Sequence, residues 1–170
     1  MVMLVILIVV SVILMTFVYA GLSAAPWAPT RRFDVDRFLK MVGDVKGKKI
    51  YDLGCGDGRM VCGVAKKGAS AVGMEISIIQ YLVSLVRARR ERVQKNCSIK
   101  FSNFWRADLG DADVVYFFLM PKIYEKLRKK FEKELKKGTI VVAYVWPIKG
   151  WTPKKVDECE ARPNIYMYEV

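Results

Sequence analysis

The hydrophobic pattern divides this chain into two unlike parts. Residues 2–20 are an almost unbroken run of Val, Ile, Leu, Met and Phe, apolar on every face of the helix they would form. From residue 31 onward, short apolar runs alternate with amphipathic stretches. Lys49 to Leu53, Ser70 to Glu75, Ser98 to Phe104, Asp113 to Leu119 and Thr139 to Trp146 read as strands, with Ile165 to Val170 as a last one. The fourth of these carries Val-Val-Tyr-Phe-Phe, a continuous apolar run of the kind found in a buried parallel strand. Thr30 or Asp34 is suited to cap a first helix to about Val42, with Phe38 and Leu39 inward. Further helices are expected from Gly58 to Lys67, from Ile78 to Gln94 with Tyr81, Leu82, Leu85 and Val86 on one side, and from Pro121 to Lys137, stopped by Gly138. Strands alternating with helices predict an α/β fold with a doubly wound, mostly parallel, Rossmann-like sheet and ligands at the strand C-termini.

The apolar run changes the picture at the N-terminus. About twenty helical residues rise about 30 Å, the hydrocarbon thickness of a bilayer. The expectation is one transmembrane helix and the start of a linker over residues 1–25, then a single domain over 26–170. A cleaved signal peptide is the rival reading, because Ser23-Ala24-Ala25 offers small residues. The missing basic n-region, the length of the run and Pro26 weigh against it. Arg31 and Arg32 follow the run and no charge precedes it, so the positive-inside rule predicts a single-pass membrane protein with its domain on the cytoplasmic (or matrix-like) side. Gly21 to Thr30, with Pro26 and Pro29, reads as the linker.

Lys and Arg outnumber Asp and Glu by 29 to 17, a formal net charge of +12. The basic residues cluster at 87–92, 126–137 and 149–155, which suits anionic headgroups or nucleic-acid phosphates. In the 126–137 cluster, Leu127, Phe131 and Leu135 recur every four residues, the signature of an amphipathic helix with a solvated charged face. There is no histidine, and the four cysteines show neither a Cys-x-x-Cys pair nor metal-ligand spacing, so no metal site is expected. Cys62 and Cys97 read as small apolar core residues.

The candidate chemistry lies in Asp52-Leu-Gly-Cys-Gly-Asp-Gly-Arg59. Alternate glycines leave a turn whose backbone can approach a ligand closely, between a strand and a helix N-terminus. The sixth position of a dinucleotide fingerprint is Arg59 rather than glycine, and the Gly-Lys-Ser/Thr ending of a P-loop is absent. Asp52 at the strand end would repel a pyrophosphate but suits an ammonium group. Glu75 closes the next strand at the usual position for a carboxylate that holds ribose hydroxyls. An adenosine with a cationic, amino-acid-like tail satisfies both acids, and S-adenosylmethionine is that ligand.

Pro26 to Thr30, the Asp52–Arg59 segment, Val72 to Glu75, Asn103 to Trp105 and Trp151 to Pro153 occur in one order. That order resembles the class I S-adenosylmethionine-dependent methyltransferases. Within them it is similar to the small membrane-anchored protein-lysine methyltransferases of the ATP synthase c subunit and adenine nucleotide translocase type and their prokaryotic relatives. The resemblance implies a seven-stranded sheet ending in a hairpin, and the short tail after Pro147 suggests that one hairpin strand is poorly formed. It implies Asp52 at the cofactor's amino group, Gly54 and Gly56 at its carboxylate and sulfonium end, and Glu75 at the ribose. Asn103 and Phe104 would meet the adenine, and Thr30 would belong to a lid. Loop capping by Asn103 and helix capping by Thr30 are the plain alternatives. Arg59 is expected to pair with Asp57 or Asp108.

No catalytic base is identifiable. Trp146 and Trp151 are candidates to line a lysine channel, though core packing explains Trp146 as well. Leu119-Met120-Pro121 stands where other amine methyltransferases carry Asn/Asp-Pro-Pro-Tyr, which argues against a planar amide acceptor. The implied partners are a protein lysine, membrane-embedded proteins among them, and a membrane through the first helix and the basic surface; nucleic acid stays open. Methylation of RNA or a small molecule, and a non-catalytic cofactor-binding module, remain as alternatives.

Overall fold

The computed structural model describes residues 1–23 and 30–170. Its centre is a seven-stranded sheet in the order β3-β2-β1-β4-β5-β7-β6. The strands are β1 (Lys49–Leu53), β2 (Ser70–Glu75), β3 (Cys97–Phe101), β4 (Val114–Phe117), β5 (Ile140–Tyr144), β6 (Lys155–Asp157) and β7 (Ile165–Glu169). β1 to β5 run parallel, and β7 enters antiparallel between β5 and β6. The C-terminal hairpin is therefore complete, with Val156 opposite Tyr166; its short first strand carried too few residues to show a period.

Helices cover both faces, which is why the central strands are apolar without alternation: all four residues of β4 are buried. On one face lie α2 (Arg32–Val42), α3 (Arg59–Ala65) and α4 (Ile78–Arg90), packing Phe38, Met60, Val61 and Val64 against Ile50, Val114 and Val142. On the other, α5 (Tyr124–Glu134) packs Tyr124, Leu127 and Phe131 against Val115, Phe117 and Val141. A 3-10 turn at Pro121–Ile123 precedes α5, so proline opens the helical segment as its fixed φ favours. Cys55, Cys62 and Cys97 are buried and all four cysteines are free thiols.

The structure shows which side of α4 is buried and corrects the cap expected for α2. α4 buries Gln80, Ser84 and Ala88, while Leu82 and Val86 are 54% and 59% exposed. At Ser84 a small side chain is required because the glycine turn presses on this helix: a Cβ on Gly58 would lie 2.8 Å from the Ser84 Cβ. Neither Thr30 nor Asp34 caps α2; the cap position is Arg31, with no side-chain bond. Asp34 lies inside the first turn, where its carboxylate accepts from Arg37 Nη1 at 3.0 Å and from the Tyr144 hydroxyl at 2.8 Å. Arg37 also donates to Asp157 Oδ2 at 3.0 Å and to the Pro163 carbonyl at 2.8 Å, joining α2 to the hairpin.

The membrane reading is corrected as well. Helix α1 (Val2–Ser23) forms as expected, but among the described residues no helix is long and apolar enough to cross a membrane. The single-pass anchor, and the cytoplasmic or matrix-like placement drawn from Arg31 and Arg32, therefore fall. α1 instead meets α4, where the Ile78 N–H donates to Thr16 Oγ1 at 3.5 Å. Of the expected linker, residues 24–29 and the boundary at 25/26 lie outside the described residues.

Candidate functional site

The site forms where β1 ends. Gly54 and Cys55 both donate their N–H to the Met74 carbonyl, at 3.0 and 2.9 Å, so the turn after β1 is stitched to the end of β2. Gly54, Gly56 and Gly58 all take positive φ, at 79°, 53° and 76°. At Gly54 a Cβ would also stand 3.3 Å from Leu119 Cδ2, so the backbone there is bare by necessity.

Asp52 is 4% exposed, and its carboxylate has no hydrogen bond or ion pair to any described residue. Burial, with the nearby charges of Glu75 and Asp57, raises its pKa well above the ordinary aspartate range. A buried carboxylate left without a donor is costly unless a cation completes it. Across the β1/β4 register stands Tyr116, whose hydroxyl lies 3.0 Å from Thr30 Oγ1. Burial, then the Asp52 charge, pushes that phenol well up.

Glu75 is 7% exposed. One of its oxygens accepts from Gly56 N–H at 2.8 Å; the other accepts from the N–H groups of Ile76 and Ser77, at 2.9 and 2.8 Å. The carboxylate is thereby fixed beside the glycine turn, with lone pairs left to receive hydroxyl donors. Ser77 Oγ and Ser102 Oγ, at the ends of β2 and β3, are buried without partners among the described residues.

Asp57, inside the turn, binds two guanidiniums. Arg59 Nη2 approaches its Oδ2 to 2.6 Å and Arg87 Nη2 to 2.8 Å. Burial alone would raise this carboxyl, but Arg59 and Arg87 outweigh it and hold the pKa below the usual range. Arg59 also reaches out of the turn, where its Nη1 donates to the Thr30 carbonyl at 2.7 Å. Asp108, the other expected partner, accepts instead from Gly110 N–H at 2.9 Å.

The residues singled out in the sequence fall into two groups. Thr30, Asp52, Gly54, Gly56 and Glu75 converge around the β1 and β2 ends. Asn103 and Phe104 lie beyond β3, where Asn103 Oδ1 caps a 3-10 turn by accepting from Trp105 N–H at 3.0 Å. The Phe104 ring is 4% exposed and packs on Trp105 at 4.9 Å. Trp151 packs on Phe131 and Tyr168 and donates to Glu132 on α5. Tyr116 and Arg87 escaped sequence reasoning: one lies in a uniformly apolar strand, the other in a basic cluster, and only the parallel register and the α4 packing bring them to the site.

An unpaired acid at the β1 end, a bare glycine turn and a second acid at the β2 end fit an adenosine ligand with an ammonium tail. Similarity to known proteins agrees. Residues 52–155 match the family described as ANTKMT methyltransferase domain. A protein-lysine N-methyltransferase of Saccharolobus islandicus is 37% identical over 150 residues, covering 85% of this chain and 93% of that protein. The lysine N-methyltransferase of the ATP synthase c subunit from Homo sapiens is 32% identical over 144 residues; the match covers 85% of this chain but 61% of the human protein. Among solved structures, an RNA methyltransferase from Salinibacter ruber in complex with S-adenosyl-L-homocysteine superposes with a TM-score of 0.79 at 30% identity, covering 84% of this chain and 93% of that one. The chain belongs to the ANTKMT methyltransferase family, enzymes of the S-adenosylmethionine-dependent, Rossmann-like class.

Proposed function

We propose that this methyltransferase modifies the side-chain amine of lysine in a protein acceptor, with membrane-associated proteins as the acceptor class. The observation that carries the cofactor half is the buried, unpartnered Asp52 carboxylate. The acceptor half is supported by the two lysine methyltransferases described above. Asp52 would receive the ammonium of the methionine moiety, and Gly54 and Gly56 would admit its carboxylate and sulfonium end. Glu75 would accept the ribose hydroxyls, Asn103 and Phe104 would border the adenine, and Thr30, tied to Tyr116 and Arg59, would close over the methionine end.

When bound, S-adenosylmethionine supplies an electrophilic methyl group on a sulfonium. The protein's share is alignment and desolvation. The lysine nitrogen must give its proton to solvent and present a lone pair; that pair forms the new N–C bond as the S–C bond breaks to leave a neutral thioether. A water-poor site favours the neutral amine, and holding donor and acceptor in line supplies much of the rate.

The experiment is transfer of tritiated methyl from S-adenosylmethionine into membrane and soluble protein fractions, wild type against Asp52→Asn. Label on lysine of a small set of membrane proteins, absent with the variant, is the expected result. Label in RNA, the substrate class named for the Salinibacter ruber structure, would replace the lysine reading.

A further inference from the structure

We propose that Phe118 and Trp146, backed by Tyr144, form an aromatic subsite that holds the acceptor's ammonium and its mono-, di- and trimethylated forms. The inference rests on the amine-methylation reading above and deepens it, because such a subsite determines how many methyl groups one acceptor receives.

The strand order sets the end of β4 between the end of β1, which leads into the glycine turn, and the end of β5. Phe117 of β4 stands between Leu53 of β1 and Ala143 of β5. Phe118, one residue past the last paired position, turns its ring onto Tyr144. Leu119, next in the chain, closes against Gly54. The Phe118 ring meets Tyr144 edge-on at 4.8 Å and 84°, and lies 6.2 Å from Trp146 at 34°. Tyr144 is 4% exposed and its hydroxyl is committed to Asp34, so it serves as backing. Phe118 and Trp146 are only partly buried. An indole and a phenyl surface thus border the strand ends next to the turn that would receive the sulfonium end.

A second, independent observation concerns the backbone. Val145 has φ 80°, a conformation that a β-branched residue almost never adopts; among the described residues, the other non-glycine positions with positive φ are Arg92 and Ala161. Strain of this kind persists where surrounding structure over-determines it, and it gathers at functional sites. Here the Val145 N–H donates to the Asn164 carbonyl at 2.9 Å, extending the β5–β7 ladder by one rung. The residue that follows this forced turn is Trp146.

The chemistry follows from the faces of the rings. An ammonium over an indole or phenyl face is held by the ring quadrupole, and the attraction gains when water is displaced. Each added methyl removes an N–H donor and thins hydration, which weakens the pull of water more than that of the rings. A partly methylated lysine would therefore stay at the site for the next transfer.

The test uses the full chain loaded with S-adenosylhomocysteine, titrated calorimetrically with Nα-acetyl-Nε-trimethyllysine methylamide and with its neutral tert-butyl carbon isostere. The expected result is that the cation binds about tenfold tighter than the isostere. That preference should vanish in Trp146→Leu and Phe118→Leu and survive in Trp146→Tyr, while S-adenosylhomocysteine affinity stays within about twofold as the check on folding. Equal affinity for cation and isostere in the wild type overturns the proposal, even if a leucine variant fails to fold. So does an undiminished preference in folded leucine variants, or absence of cation binding by the loaded protein. Failure of S-adenosylhomocysteine itself to bind would strike the cofactor reading instead, which separates the two claims.

Discussion

Arg59 donates to the Thr30 carbonyl at 2.7 Å while the same guanidinium grips Asp57, two residues behind it, at 2.6 Å. The segment leading into α2 is thereby fastened to the glycine turn through a single side chain. Arg59→Gln should release Thr30 and leave Asp57 with Arg87 as its one remaining guanidinium. With a charged hydrogen bond worth about 1.5–3 kcal/mol, S-adenosylhomocysteine affinity should fall on the order of tenfold or more by calorimetry. An unchanged affinity in a folded variant would show that Thr30 closes nothing.

Asp57 also sets an acid limit. Its folded pKa is depressed, so its contribution to stability is present above the unfolded value of about 3.9 and is lost as pH falls through the folded value. Asp57→Asn should therefore lower stability at pH 6, and the gap from wild type should close as pH drops below about 3.9. Urea denaturation of both proteins across that range measures it; a gap that stays constant would remove Asp57 from the acid response.

Asp52 has the opposite sign. Its folded pKa is raised, so the folded carboxyl retains a proton to higher pH than the unfolded one, and the residue subtracts stability as pH rises. Asp52→Asn should raise the Tm of the cofactor-free protein at neutral pH while weakening S-adenosylmethionine binding by about ten- to a hundredfold, the worth of a charged hydrogen bond. A drop in Tm with unchanged affinity would refute the reading of this acid as a binding group.

Gly58→Ala tests the packing behind the turn. The new Cβ would meet Ser84 Cβ at 2.8 Å, on a backbone held at φ 76°. Left-handed strain of about 1–2 kcal/mol plus overpacking of about 1–3 kcal/mol predicts a loss of about 2–5 kcal/mol by chemical denaturation. Adding Ser84→Gly should restore only the overpacking part.

Arg37→Ala removes the hub joining α2 to the hairpin. Asp34, 1% exposed, would keep only the Tyr144 hydroxyl. Breaking a buried pair in this way costs about 3–5 kcal/mol. Equal unfolding free energies for variant and wild type would show that the hub adds nothing to the fold.

The strands were legible because their residues are apolar on both faces: β1 and β2 fall on the residues where the pattern put them. α4 shows what the pattern leaves open. Its sequence offers Leu82, Leu85 and Val86 as an apolar face, yet the helix turns Gln80, Ser84 and Ala88 inward, with Ser84 against the glycine turn. Periodicity records which residues are apolar and says nothing of how close a neighbouring backbone will come. At the site, Asp52 and Glu75 were readable because each ends an apolar run. The partners that complete the network, Tyr116 and Arg87, come from elements whose approach is set by register and helix packing. Asn103 was legible as a polar residue after a strand, and the structure commits its oxygen to a turn.

If the unpaired acid at the end of β1 receives the cofactor's ammonium as proposed, cofactor loading becomes a proton exchange. Its carboxyl holds a proton to higher pH than a free aspartate would, and the arriving ammonium would compete with that proton for the same oxygens. Around the folded pKa, each molecule bound releases acid to the medium. Occupancy at fixed cofactor concentration then climbs with alkalinity, and the heat of binding takes on the ionisation enthalpy of whichever buffer collects the proton.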